Sequence, residues 1–294
     1  MIREAPQLAA TSAFTRTRSN TQEARHESIT FRGFTEAQKK YLSGLITILG
    51  LPLNYIQEIQ LKKLPPLMGE GTLGQYVKGK IIIYESTIYD IKRQSNAARF
   101  ETFLRFQLPS MLVHEFAHAQ SAVSTNAMYD RENRTTFIEK MQRTQLTKGY
   151  GETLFSEEEA QHFAAQVDQI AEQSLKTSTH FSPYHVMNTE MYQNTAAREA
   201  FSSLGLDIED GMRSKLNNEL EAILVQMYFE DPKKLLQVEE SQRRKLSSEE
   251  LAEYISPTEF VESLLMHTTQ RTIDDLRIAS YKYKDYIHEN QFPF

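Results

Sequence analysis

The chain has 294 residues, with 33 lysines and arginines against 39 aspartates and glutamates, a formal charge of −6. No domain-scale basic excess exists, so nucleic-acid binding is not expected. The absence of cysteine excludes disulfides, thiol catalysis, iron–sulfur clusters and cysteine-based zinc fingers.

The 11 glycines and 9 prolines fall well below the usual combined share of about 12%. So few turn residues favour long helices over a strand-rich sandwich. Residues 1–33 are rich in Thr, Ser and Arg and are expected to be a solvated tail. No apolar core of 7–15 residues follows the first few residues, so no secretory signal is expected. The longest apolar stretches, at 46–49 and 81–84, are far short of the roughly 18–20 residues of a membrane span. The expectation is a cytoplasmic protein without a membrane partner.

Thr35 with Gln38 has the form of a capping box. Tyr41, Leu42, Leu45, Ile46 and Leu49 then follow helical spacing, and Gly50 with Pro52 ends that helix. Residues 54–61 suggest a short strand. Residues 72–77 and 80–84 flank Lys78-Gly79, which predicts a hairpin. The β-branched run Ile81-Ile82-Ile83 predicts a buried strand. From about Lys92 the pattern is helical. Pro109 interrupts one helical stretch and opens the next at its first turn. Further helices are predicted near 134–146, 156–176, 190–204, 209–229, 248–255 and 257–288. Ser247 with Glu250 is a second candidate capping box. The chain is therefore expected to be α+β and predominantly helical, with a small N-terminal sheet and a helical C-terminal part. Residues 34–178 are read as the core and 179–294 as a helical extension packed on it.

The chemistry lies in His114-Glu115-Phe116-Ala117-His118, an HExxH motif. Residues i and i+4 share one helix face, so both imidazoles can reach one Zn2+ ion at about 2.0–2.1 Å. Glu115, beside the first ligand, can act as general base toward a metal-activated water and then as general acid toward a leaving amine. Leu108, Met111, Leu112 and Phe116 give the same helix positions for a core.

Two histidines leave the metal one protein ligand short. Residues 121 and 124 are serines, so no third histidine follows at the metzincin spacing. The first choice for the third ligand is Glu157, in Ser156-Glu157-Glu158-Glu159-Ala160-Gln161. Ala160 then lies one turn on, small enough for close helix approach. Gln161 could hydrogen-bond a ligand histidine. Glu159 is an alternative in that segment. A rival is Glu219, in Glu219-Leu220-Glu221-Ala222-Ile223, which repeats the Glu-x-Glu-Ala pattern. His180, Tyr184 and His185, on a predicted loop, are candidates for stabilising an oxyanion.

The order of strand, HExxH helix and later helix with Glu-x-x-Ala resembles the layout of gluzincin-type zinc metallopeptidases. The run "EEEAQHFAA" is similar to the ExEANxFA segment of the ImmA/IrrE-type family, with Gln161 where Asn or Asp is usual. The resemblance covers roughly residues 72–176. It implies a zincin-like core, bound zinc and a peptide or protein substrate. That substrate is expected along the edge of strand 80–84, if that edge is free. The alternatives are a zinc site without catalysis and a helical interaction protein.

Overall fold

A computed structural model describes residues 29–51, 56–64, 72–77, 79–123, 155–177 and 208–269, with isolated positions between 275 and 286. Side chains of 208–215 are outside that description. The predicted helices at 134–146 and 190–204 lie outside the described residues, as do His180, Tyr184 and His185.

Four strands form one mixed sheet. They are β1 (Thr30–Arg32), β2 (Glu58–Lys62), β3 (Gly74–Val77) and β4 (Lys80–Tyr84), in the order β1-β2-β4-β3. β1 pairs parallel to β2 and β2 parallel to β4, while β3 pairs antiparallel to β4. β1 thus draws the end of the expected tail into the sheet, with Phe31 beside Ile59. Between β1 and β2 runs α1 (Glu36–Leu49), whose Thr35 capping box with Gln38 is formed at both bonds. It buries Tyr41, Leu42, Leu45, Ile46 and Leu49 in one core with Ile59, Ile81 and Ile83. The three sheet isoleucines are wholly buried, as expected where β-branched residues fill a covered pleat.

The predicted hairpin is the β3–β4 pair, turned at Gly79 with φ +77°. A residue with a Cβ is strained in that left-handed region. Because β3 covers one side of β4 and β2 the other, β4 has no free edge. The expectation that a substrate lines the free edge of residues 80–84 is therefore corrected: the edge strands are β1 and β3. The Tyr76 N–H of β3 points away from β4 and reaches α4.

Helical structure begins earlier than expected, at α2 (Glu85–Gln94), directly after β4. No side chain caps its start, so no local signal announces it. Then α3 (Ala97–Thr102), a π-helical turn at Phe103–Gln107 and α4 (Leu108–Ala119) follow without a break. Pro109 sits in the first turn of α4. Further helices among the described residues are α5 (Glu157–Lys176), α6 (Ile208–Glu230), α7 (Pro232–Arg243), α8 (Ser248–Ala252) and α9 (Pro257–Thr269). Ser247 and Glu250 form their capping box at α8. Helix α6, from the stretch read as an extension, packs directly on α4. Among the described residues no helix is long and apolar enough to cross a membrane.

Candidate metal centre

Helix α4 is amphipathic in the way the motif requires. Leu108, Leu112 and Phe116 face the core, and His114 and His118 leave the helix one turn apart. The two rings meet edge-on, with centroids 4.7 Å apart. Their Nε2 atoms are 3.1 Å apart. Helix α6 brings Glu219 onto both: its Oε2 lies 3.4 Å from each Nε2. Among the described residues this is the group of His, Asp and Glu side chains that could hold a metal ion. The spacing is informative. Ligands at 2.0–2.1 Å from a tetrahedral metal stand about 3.3 Å from one another. The three donor atoms already have that separation, and their chemistry suits zinc.

The surrounding bonds orient these donors. His118 Nδ1–H donates to Asn218 Oδ1 at 3.2 Å, which leaves the lone pair on Nε2 facing the cluster. His114 Nδ1 is buried without a partner. Burial opposes a charge on His118, but the hydrogen bond and charge of Glu219 outweigh it and lift the ring to about 9. Burial likewise works against the Glu219 carboxylate, yet its bonds to His114 and His118 hold it well below the usual range. Both shifts describe the same pair: a protonated His118 ring against the Glu219 carboxylate when no metal competes for the proton.

Glu115 is buried, and that burial raises its pKa despite the two histidines and a backbone donor. The donor is Tyr76 N–H of β3, 2.6 Å from Oε2. One carboxylate thus joins the outer strand to the histidine helix. Gly74 permits this approach: a Cβ there would overlap the Met111 sulfur. Two residues beyond Glu219, Glu221 is almost wholly enclosed. Burial pushes its pKa up to about 7 against the pull of three donors: Val123 N–H, Ala122 N–H and the Ser121 hydroxyl.

Glu157 stands outside this cluster. It is exposed in the first turn of α5, where Gln161 Nε2 donates to its Oε1 at 3.3 Å. Gln161 thus serves its own helix and not a ligand histidine. Glu159 completes the capping box with Ser156. The acidic triplet is accounted for by helix capping and the helix dipole. Asn218, Glu221 and Tyr76 were not singled out from sequence as site residues. The available signal was Glu221 inside the apolar run Leu220, Ala222, Ile223, Leu224, with Glu219 just before it, an expensive place for charge without partners.

The chain matches no protein-family model, and no curated protein and no solved structure shows significant similarity to it.

Proposed function

We propose that this protein is a zinc-dependent peptidase. The observation that carries the reading is the triangle of His114 Nε2, His118 Nε2 and Glu219 Oε2, with Glu115 beside it on the same helix. Those three residues would hold the ion. Zinc bound there would acidify a water molecule and polarise a scissile carbonyl. Glu115 accepts the proton of the attacking water and delivers it to the leaving amine. Burial raises its pKa, which favours uptake of the water proton over what an ordinary exposed carboxylate would manage. The two histidines and Glu219, fixed on two packed helices, keep these groups oriented. A zincin-like relationship for the fold belongs to the same proposal. A gluzincin-type reading is supported by the HExxH helix with Glu219 brought beside its histidines from a later helix.

The test combines metal content and hydrolysis. Wild-type protein should carry about one zinc per chain and cleave members of a mixed peptide library. Glu219→Ala should lose the metal, whereas Glu157→Ala should keep it. Glu115→Gln should keep the metal while hydrolysis falls at least about 100-fold. A wild-type protein that takes up no zinc sinks the reading. Full zinc with no cleavage would leave a zinc site without catalysis.

A further inference from the structure

The enclosed carboxylate of Glu221 has no part in the chemistry above, yet it lies two residues from Glu219. Successive residues advance by about 100° around an α-helix, so the two side chains leave α6 on nearly opposite sides. Glu219 reaches the histidines. Glu221 reaches the chain where it leaves α4. Its Oε1 accepts from Ala122 N–H at 3.1 Å. Its Oε2 accepts from Ser121 Oγ at 3.1 Å and from Val123 N–H at 3.2 Å. These donors begin only three residues after His118. The residue is 1% exposed, so water cannot replace any of the three bonds.

We propose that Glu221 is a positioning residue for the metal centre: it holds α6 in register with the end of α4 and thereby sets where Glu219 meets His114 and His118. This rests on the metal-site reading above. The clasp ties the backbone just after the second histidine to the backbone just after the third ligand. On the other side of Glu219, Asn218 ties the same helix to His118 Nδ1. The ligand carboxylate is therefore anchored on both flanks. A metal site tolerates ligand displacements of only about 0.2 Å, so a slip of α6 would reach the ion through Glu219. A carboxylate is needed at 221 because both oxygens accept. An amide offers one acceptor oxygen, and its NH2 would face donors.

Glu221→Gln changes almost no volume and tests this directly. The full-length protein is titrated with zinc against a chelator, and the visible absorption of the cobalt(II)-substituted protein is recorded. The expected result is zinc affinity 10- to 100-fold weaker and a shifted cobalt spectrum. Ser121→Ala, which removes one donor of three, should weaken zinc by a smaller factor in the same direction. It decides the matter if Glu221→Gln does not fold. Lower thermal stability with wild-type zinc affinity and an unchanged cobalt spectrum would overturn the proposal, since a merely structural clasp would behave so. Glu219→Ala separates the two levels. If Glu219→Ala abolishes zinc binding and Glu221→Gln leaves it unchanged, only the positioning role fails. If wild-type protein binds no zinc, both readings fail together.

Discussion

At the scale of single residues, the centre depends on carboxylates placed where charge is costly. Glu115 and Glu221 are buried and Glu219 is half-buried, and each has partners that justify its position. Glu157 and Glu158, in open water at the start of α5, need no such partners. The proton that His118 holds against Glu219 has a consequence for pH. With no metal bound, the His118 pKa lies at about 9 in the folded protein against an ordinary 6.5. A raised histidine pKa stabilises the fold fully below about 6.5, and that contribution is lost as pH rises through about 9. Zinc bound at the proposed centre would have to displace the same proton. Its apparent affinity should therefore climb by about tenfold per pH unit between pH 7 and 9 and then level off. Chelator competition across that range checks the slope. A flat profile would show that no such proton is displaced.

At the scale of elements, Pro109 explains the π-helical turn before α4. It has no N–H to give to Arg105 O in an α register, or to Leu104 O in a π register. The helix widens into its π-helical turn just upstream, where Leu108 N–H bonds to Phe103 O. Tyr283 supplies the missing donor: its hydroxyl bonds to Arg105 O and lies 3.2 Å from Leu104 O. Burial raises the pKa of this phenol, so it stays protonated and able to donate. Tyr283→Phe removes the donor and leaves a buried carbonyl unpaired, at a cost of about 1–3 kcal/mol. Thermal unfolding should register a melting temperature lower by several degrees, with the zinc content unchanged. An unaltered melting temperature would mean that the carbonyls find another donor. Helices α4 and α6 also meet away from the histidines, where the Ser110 hydroxyl donates to Glu230 and Gln226 Nε2 donates to Ser110 Oγ at 3.2 Å. The cluster is thus held between two polar contacts of the same helix pair.

At the scale of the whole molecule, the cluster joins parts of the chain about a hundred residues apart. A boundary at 178 would separate His114 and His118 from Glu219, although α4 and α6 share one hydrophobic core. An ion held by both helices stabilises the folded state by mass action. At about 100-fold excess over its dissociation constant that amounts to about 2.7 kcal/mol. For a chain of this size the shift corresponds to about 4–5 °C. Chelation should lower the melting temperature by that amount in wild type and leave Glu219→Ala unaffected. An equal response from both proteins would place the metal elsewhere.

Sequence alone determined the parts of this protein that rest on short-range chemistry. The capping boxes at Thr35 and Ser247 depend on residues three apart, and the structure forms both. The β3–β4 turn at Gly79 and the shared face of His114 and His118 are equally local. The third carboxylate was not legible in that way. Glu157 and Glu219 carry the same local Glu-x-Glu-Ala pattern, and only the packing of α6 on α4 distinguishes them. The free edge of the sheet was decided at the same level, since parallel pairing of β2 with β4 joins segments that no local pattern relates. The physical reason is common to both. Hydrogen bonds within a turn are set by neighbouring residues, whereas a ligand brought from a hundred residues away is set by how apolar helix faces pack.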